Sequence, residues 1–389
     1  MISVTEALDR LFALTSPLSV ENVKLTAARG RVLATPVTAR RNQPPFAGSA
    51  MDGYAVAGTA DTGATFDVIG EAAAGRGFGG TVGAGQATRI FTGAPLPQGT
   101  DTVVIQEDVT RDGDRITVTE ATAQGANVRA AGGDFRIGDQ IGAPRVISPS
   151  DIALMAAMNV PEVSVTRKPR IALIPTGDEL VQPGEEPGPD QIVASNSYGL
   201  QALFEQAGAE ARLLPIARDR MEALETVLHL AEGADLVITI GGASVGDHDL
   251  VARAAQGIGM EQVFYKVAMR PGKPLMAGRL GDAAMIGLPG NPVSAMVCGH
   301  IFAVPVIRHM LGLGTGPAPR LQARLAVDIA ANGPREHYMR ATLGADGITP
   351  ATRQDSALLS VLSDAGALLV RAPNAPAAPA GTEVEYLPL

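Results

Sequence analysis

The sequence predicts a multidomain protein in which an α/β domain with a mostly parallel sheet is flanked by regions of β structure. Over residues 41–136, short β-prone stretches alternate with glycine-rich turns, which is typical of a small β domain. From about residue 169 to 311, continuous apolar strands alternate with helices. This alternation favours a three-layer α/β/α arrangement, with a parallel sheet covered on both faces. Residues 320–389 return to a strand-like pattern with Pro and Gly turns.

Helices and strands can be placed in order along the chain. Residues 3–14 form an amphipathic pattern in which Ser3 can cap the helix, and a second helix is expected at 150–158, capped by Ser150. In the α/β region, the strands are expected at 170–174, 211–216, 235–240, 263–267 and 284–288, and the helices at 196–208, 221–231, about 249–255 and 292–311.

The length and charge of the chain restrict its class. The 389 residues suggest two or three domains, and 46% hydrophobic residues exclude wholesale disorder. The chain contains 31 Lys and Arg against 40 Asp and Glu, a net charge of −9. Because a general nucleic-acid binder needs a basic surface, we expect no nucleic-acid partner.

The cysteine content and the apolar segments indicate the cellular compartment in which the protein works. Cys298 is the only cysteine, so no internal disulfide and no cysteine cluster for zinc or iron–sulfur binding can form. The N-terminal residues lack the basic run and apolar segment of a secretory signal. The longest apolar run, 293–307, is too short for a bilayer and contains His300 and Pro305. We therefore expect a soluble cytoplasmic protein with no membrane partner.

Three glycine-containing turns follow strands of the α/β region: PTGDEL at 175–180, GGASVGDHD at 241–249 and GLPGNPVS at 287–294. Ligands of parallel sheets bind beyond the carboxyl ends of the strands, so these turns should form one rim. The alternative is that each is only a tight strand-to-helix turn. The rim residues expected to bind a ligand are Gly177, Asp178, Gly241, Gly242, Ser244, Gly246, Pro289, Asn291, Pro292 and Ser294.

The second turn has the chemistry of a phosphate site. Its glycine N–H groups can cradle a phosphate or pyrophosphate, while Asp247 and Asp249 can hold a divalent cation. The alternative is that one of these aspartates caps the following helix. His248 has no partner histidine nearby in sequence, so it is expected to be a surface residue.

The third turn and the segment before it suit an anion. Asn291 followed by Pro292 predicts a helix cap and a first helical position, and the start of a helix attracts oxyanions. Upstream, a segment of eight residues contains three cations, Lys266, Arg270 and Lys273, although the chain as a whole is acidic. We expect an anionic ligand here, with a solvated basic loop as the alternative.

Two shorter motifs lie in the β region. Asp52 precedes a glycine in SAMDGYAV, and Thr92 ends a strand in FTGAPLP. By itself, each reads as a turn rather than a site.

Taken in order, SAMDGYAV, FTGAPLP, PTGDELV, SNSYGLQAL, GGASVGDHD, RPGKP and GLPGNPVSA resemble the MoeA family of molybdopterin molybdenumtransferases, to which the catalytic half of gephyrin is related. The resemblance covers essentially the whole chain. It implies a homodimer with four parts per chain. These are a discontinuous linking domain at 1–40 and 137–168, a β domain at 41–136, a molybdopterin-binding α/β domain at 169–315, and a C-terminal β barrel at 316–389.

The resemblance also implies a reaction. Molybdate is inserted into adenylylated molybdopterin, AMP leaves, and Mg²⁺ assists. Asp249, together with Asp247 or Asp178, would hold Mg²⁺ against phosphate oxygens. Glu179 and Asp219 match acidic family positions and would bind the pterin or position water.

For molybdate, a small dianion, Lys273, Arg270 and Ser294 are natural ligands, and Lys266 adds charge. The resemblance adds Arg340 and Ser356 from the barrel. The family usually has Lys-Pro-Gly-Lys where this chain has Arg270-Pro-Gly-Lys273. Arginine keeps the charge but presents a planar, forked set of donors.

The remaining implied features involve other chains. Asp52 and Thr92 would enter the active site from the β domain of the other subunit. A molybdopterin adenylyltransferase would supply the substrate, and apo-molybdoenzymes or their chaperones would accept the product.

Two other functions compete with this one. The adenylyltransferase of the preceding step shares the α/β domain and a similar glycine-rich loop, but the flanking β domains and PTGDEL disfavour it. A non-catalytic scaffold or anion sensor is disfavoured because the full set of acids and cations is present.

Overall fold

The computed structural model describes residues 1–242 and 250–389 and shows a chain of packed modules. The first element is the predicted N-terminal helix, Val4–Phe12, in which the Ser3 hydroxyl accepts a hydrogen bond of 3.1 Å from the Glu6 N–H. Leu8 and Leu11 are buried in the same apolar cluster as the α/β module. This helix therefore packs against the α/β core.

A small antiparallel sheet joins the segments on either side of the β region. Its strands, in spatial order, are Val20–Lys24, Glu162–Thr166, Val32–Leu33 and Arg145–Val146. Helix Pro149–Ala157 packs on the same core. The remaining short elements of this part are the 3₁₀ turn Leu25–Ala27 and the paired strands Val37–Thr38 and Gln140–Ile141.

The cap of helix Pro149–Ala157 differs from the prediction. Ser148, and not Ser150, occupies the capping position: its hydroxyl accepts from the Asp151 N–H at 3.1 Å, and the Asp151 carboxylate accepts from the Ser148 N–H at 2.8 Å. Proline favours the first position of a helix because its missing N–H is not needed there. Pro149 therefore starts the helix and makes the preceding serine the cap.

The β region is organised around one six-stranded sheet. Strand Gly53–Val56 is second from one edge and places Tyr54 and Val56 in one apolar cluster and Ala55 in another, on opposite faces. The order across the sheet is Thr102–Ile105, Gly53–Val56, Gln86–Ile90, Thr65–Ala72, Arg115–Val118 and Val109–Asp112, with a separate pair Gly48–Ser49 and Val128–Arg129 and a 3₁₀ turn Gln106–Asp108.

The α/β module contains a six-stranded sheet between two helical layers, as predicted. Ile171 and Leu173 point into one apolar cluster, and Ala172 and Ile174 point into another on the opposite face. The order is Glu210–Leu213, Arg170–Pro175, Leu236–Ile240, Ala283–Leu288, Pro274–Leu280 and Glu261–Lys266. The first four strands pair in parallel, and Pro274–Leu280 pairs antiparallel with the strand on each side of it. The helices are Asn196–Gln206, Met221–His229, Leu250–Gly257, Pro292–Cys298 and Val304–Met310, and a further pair of short strands is Leu180–Val181 with Ile192–Val193.

One strand of this sheet, Pro274–Leu280, was not predicted. Its proline, glycine and arginine interrupt the apolar pattern. Pairing with strands on both sides stabilises it, and Gly278 is needed there because a Cβ would lie 2.5 Å from the Glu261 carbonyl oxygen.

The segment Pro292–Met310 is long and apolar enough to cross a membrane by length and composition. However, 72% of its most apolar window is buried inside the protein, in the apolar cluster of the α/β module. It is therefore a core helix, and it includes a π-helical stretch, Gly299–Ala303.

The C-terminal module is a strand-rich barrel. A bridge between Leu325 and Ile348 closes its sheet. One edge strand, Met269–Arg270, comes from the α/β region and pairs in parallel with the start of Glu336–Gly344. The remaining elements are the strands Leu321–Arg324, Gly347–Pro350, Ala367–Arg371 and Glu383–Pro388 and the helix Leu359–Ser363.

Candidate functional site

A cleft of about 610 Å³ opens at the carboxyl ends of three parallel strands, Arg170–Pro175, Leu236–Ile240 and Ala283–Leu288. The described parts of all three predicted turns meet there. The predicted residues that line the cleft are Glu179, Gly241, Gly242, Pro289, Asn291 and Pro292.

The backbone at this rim is tightly joined. The Thr176 N–H donates to the Ile240 carbonyl at 2.9 Å, and the Gly241 N–H donates to the Leu288 carbonyl at 3.0 Å. Gly241 has a φ of 96°, and a Cβ there would lie 2.7 Å from the Thr176 carbonyl oxygen. Only glycine fits where the neighbouring strand end approaches so closely.

Part of the predicted site lies outside the described residues: Ser244, Gly246, Asp247 and Asp249, together with His248. Over 1–242 and 250–389, no group of three His, Cys, Asp or Glu side chains is placed to hold a metal ion.

Three carboxylates lie at one edge of the cleft, and one of them, Glu179, lines the cleft itself. The Asp219 N–H donates to Asp178 Oδ1 at 3.2 Å, which joins two acidic turns. The Arg218 guanidinium donates to the carbonyls of Gly177, Asp178 and Leu180 at 3.3, 2.9 and 3.0 Å. Arg218 therefore holds the acidic turn by its backbone.

The carboxylates on this side affect one another. Burial raises the pKa of Asp219, and the negative charges of Asp178 and Glu179 raise it further. A carboxylate whose pKa is raised by neighbouring negative charges binds a proton or a cation readily. The oxygens are also the ligand type that Mg²⁺ prefers.

Two contributors to this rim were not predicted. Arg218 directly precedes the predicted Asp219, and its charge was the available signal. Asn196 lines the cleft and donates its side-chain N–H to the Gly290 carbonyl at 2.7 Å. It lies within the SNSYGLQAL motif, so the motif could have indicated it.

The other side of the cleft lies near the turn that carries Arg270 and Lys273, here called the cationic turn. Pro274, which lines the cleft, follows Lys273 directly. A Cβ on Gly272 would lie 2.4 Å from the Cys298 sulfur, so this turn packs closely on helix Pro292–Cys298. Lys266 is placed differently, with its ammonium 5.5 Å from the centre of the Tyr265 ring.

The barrel adds one buried cation, Arg340, beside this turn. Arg340 is fully buried, its Nη2 donates to the Asp355 carbonyl at 2.9 Å, and its Nε and Nη1 have no partner among the described residues. Burial lowers the pKa of Arg340, and the positive charge of Arg270 lowers it further, whereas the negative charge of Asp355 raises it. A buried guanidinium with unpaired donors is unfavourable unless an anion joins it.

His337 belongs to the same group, since it pairs in register with Arg270. Burial lowers the pKa of His337 to about 4, and the positive charges of Arg270 and Arg340 contribute. The ring is therefore neutral near pH 7.

The start of helix Pro292–Cys298 is partly occupied by the barrel. Pro292 takes the first helical turn as expected, and Asn291 occupies the cap position but its side chain makes no capping hydrogen bond. The Val293 N–H donates to the Ser356 carbonyl at 3.0 Å. One of the N–H groups expected to be free is thus already bonded, while Ser294 lies buried beside it.

Asp52 and Thr92 lie together in the β module and do not line this cleft. The Thr92 N–H and hydroxyl both donate to Asp52 Oδ1, each at 2.8 Å. These hydrogen bonds lower the pKa of Asp52, so the carboxylate is ionised at neutral pH.

Comparisons with known proteins cover all of these modules. The MoeA N-terminal region (domain I and II) matches residues 2–159, a probable molybdopterin binding domain matches residues 172–309, and the MoeA C-terminal region (domain IV) matches residues 322–389.

Whole-chain relatives agree with these matches. A protein of Nostoc sp. named molybdopterin molybdenumtransferase is 38% identical over 88% of this chain and 82% of its own length. One of the same name from Haemophilus influenzae is 35% identical over 80% and 78%. The crystal structure of a molybdopterin biosynthesis MoeA protein from Pyrococcus horikoshii superposes with a TM-score of 0.84 at 28% identity, covering 100% of this chain and 99% of that one.

Proposed function

Since the chain belongs to the MoeA family of molybdopterin molybdenumtransferases, we propose that it inserts molybdate into adenylylated molybdopterin with the help of Mg²⁺ and releases AMP. The chain is a transferase of molybdenum cofactor biosynthesis. The observation that carries the finer proposal is the arrangement of charge around the cleft. Glu179 lines the cleft beside Asp178 and Asp219, and on the other side Pro274 lines it next to Lys273, with the buried Arg340 close to Arg270.

The glycine rim would hold the phosphate groups of the nucleotide. Gly241 and Gly242 line the cleft directly after a parallel strand, where backbone N–H groups can approach phosphate oxygens. Ser244 and Gly246 would continue this cradle.

The acidic side fits Mg²⁺ by its chemistry. Asp249, with Asp247 or Asp178, would be the ligands. When bound, the ion would neutralise charge on the phosphate oxygens and the leaving AMP. The raised pKa of Asp219 supports a different role for this residue, because a carboxyl that gains a proton readily can take one from water at its Oδ atoms. Glu179 would orient that water or the pterin.

The cationic side would bind molybdate. Lys273 and Arg270 would supply charge from the turn, and the unpaired Nε and Nη1 of Arg340 would donate hydrogen bonds from the barrel. Ser294 and Ser356 would add polar contacts at the helix start. An anion here would also remove the unfavourable burial of the Arg340 charge.

We further propose that the protein is a cytoplasmic homodimer in which Asp52 and Thr92 complete the cleft of the partner subunit. The ionised Asp52, held by Thr92, does not line the cleft of its own chain, which supports a role in another one. A molybdopterin adenylyltransferase would supply the substrate, and apo-molybdoenzymes or their chaperones would receive the product.

Mixed dimers test the shared site. We expect Asp52→Ala and Lys273→Met each to inactivate the protein as homodimers. A heterodimer that carries one change in each subunit regains one intact site if Asp52 acts across the interface, and AMP release returns to about half of the wild-type rate per dimer. If Asp52 acts within its own chain, both sites of the heterodimer are damaged and no activity returns.

Two parallel assays test the reaction itself. One supplies molybdopterin, ATP and Mg²⁺, and the other supplies adenylylated molybdopterin, molybdate and Mg²⁺. We expect AMP release only in the second assay. Formation of the adenylylated pterin in the first assay would instead identify an adenylyltransferase, and no turnover in either would favour a scaffold.

A further inference from the structure

A second cavity, of about 320 Å³, adjoins the cleft between the α/β module and the barrel. The two spaces share Ser195 and Asn196 in their walls, so they are direct neighbours. Cavities of about 300–1,000 Å³ are typical of small-molecule sites, and the second cavity alone reaches the lower end of this range.

The walls of this second cavity are mainly apolar. Gly199 and Met296 face it from two helices of the α/β module, and Leu359, Leu362 and Ala365 face it from the barrel. None of these side chains carries a charge, in contrast with the acidic and cationic sides of the cleft. The cavity therefore suits an uncharged, largely apolar group that is attached to a charged one.

His300 supplies a polar contact in this apolar space. It lies in the π-helical stretch Gly299–Ala303 and lines the cavity. Within the part of the chain that the structure describes, its ring nitrogens have no hydrogen-bond partner. Burial lowers the pKa of His300 to about 4, so near pH 7 one nitrogen donates and the other accepts.

We propose that this second cavity binds a fused, nitrogen-containing ring of the substrate while the neighbouring cleft holds its phosphates. Adenine and pterin, the two ends of adenylylated molybdopterin, share this chemistry. A planar ring would fill the apolar walls and contact the Met296 thioether, and the donor and acceptor of His300 would match its ring nitrogens and amino group. The inference rests on the proposed function, since that function supplies such a substrate.

The test blocks the second cavity without touching the rim. Ala365→Phe fills it from the barrel side, and Ser360→Phe places the same ring on the exposed side of the adjacent helix as the matched control. His300→Phe keeps the ring volume but removes both polar atoms. Calorimetry with the full chain then measures binding of AMP, molybdopterin and inorganic pyrophosphate.

We expect Ala365→Phe and His300→Phe to weaken the binding of one of the two ring ligands, AMP or molybdopterin, by about tenfold or more. Pyrophosphate binding should change less than about twofold. A loss for AMP alone assigns the cavity to adenine, and a loss for molybdopterin alone assigns it to pterin. Ser360→Phe should behave as the wild type. If Ala365→Phe impairs folding, as judged by thermal unfolding, His300→Phe decides the outcome.

Binding of both ring ligands by both variants with wild-type affinity would overturn the inference. An equal loss of affinity for pyrophosphate and for the ring ligands would also overturn it. The inference is also overturned if the variants change the sedimentation coefficient but not ligand binding, because the cavity then belongs to a subunit contact. In these cases, AMP release by the wild type leaves the proposed function intact. Absence of AMP release by the wild type would contradict the proposed function itself.

Discussion

The acidic and the cationic sides of the cleft differ in how the chain assembles them. Asp178, Glu179 and Asp219 all come from turns at one edge of the α/β sheet, and a backbone hydrogen bond joins two of them. The cationic side combines a turn of the α/β region, which carries Arg270 and Lys273, with Arg340 of the barrel. The acidic side is thus a property of one module, whereas the cationic side exists only when two modules are docked.

Because the two sides are assembled differently, substitutions on each side should reduce activity in different ways. A change on the acidic side should affect the nucleotide and leave the barrel in place. A change on the cationic side should affect molybdate, and it can act either by removing charge or by disturbing the docking of the barrel.

Replacement of Lys273 by Met should give the largest loss. Removing one positive donor from an oxyanion site costs about 10²–10³ in rate, and we expect a loss of that size in kcat/KM for molybdate. AMP binding, measured by calorimetry, should stay within about twofold of the wild type because the acidic side is intact. Lys24→Met is the exposed control. An equal loss of AMP binding would show that the two sides are not separate.

Asp219→Asn should lower the rate of AMP release by about 10²-fold, because a proton acceptor is removed while its shape is kept. The same change should raise stability at pH 7. The folded state raises the pKa of Asp219, so its ionised form opposes folding, and this cost disappears as the pH falls towards the ordinary aspartate value of about 3.9. Thermal unfolding should therefore show a higher Tm for the variant at pH 7 and a smaller difference at pH 4.

Asp190→Asn, on an exposed loop, is the control for this experiment. An Asp219→Asn variant that is less stable than the wild type at pH 7 would contradict the clustering of charge on the acidic side.

Gly272→Ala tests the docking of the cationic turn. Its φ of 101° and the approach of Cys298 should together reduce the free energy of unfolding by about 3 kcal/mol. Gly233→Ala, with a φ of 79° and no atom of the described residues within 4 Å of the added Cβ, should cost only about 1 kcal/mol. Denaturant unfolding measures both.

Adding Cys298→Ala to Gly272→Ala should recover part of the loss, because it makes room for the new methyl group. Strict additivity of the two changes would show that the turn does not depend on this contact.

Arg270→Lys should have the smallest effect. The charge is kept and only the forked donor set is lost, so kcat/KM for molybdate should change less than about tenfold. Arg270→Met should reduce it more. If lysine is as harmful as methionine, the position requires the guanidinium geometry and not only its charge.

The same contrast explains how much of the site the sequence predicts. PTGDEL and the glycine turns directly follow apolar strands, and the carboxyl ends of parallel strands meet at one edge, so strand prediction alone brings these turns together. Arg340 and Ser356 lie far from the cationic turn in sequence, and only the family resemblance indicated them. They lie close to this turn because strand Met269–Arg270 pairs with the barrel. A strand of two residues is too short to be predicted from a sequence pattern.

Other differences also arise from tertiary contacts. Strand Pro274–Leu280 exists because two neighbours pair with it, against its own weak pattern. The bond from the Val293 N–H to the Ser356 carbonyl joins modules that no local signal connects. The second cavity likewise forms only where the barrel covers the helices of the α/β module.

The most direct test of the two-sided cleft is the position of molybdenum in a crystal of the protein soaked with molybdate, located by anomalous scattering at the molybdenum edge. We expect the peak within hydrogen-bonding distance of Lys273 and the Nε or Nη1 of Arg340. A peak beside Asp178 and Glu179, or no peak near Arg270 and Lys273 at saturating molybdate, would show that the cationic side does not bind molybdate.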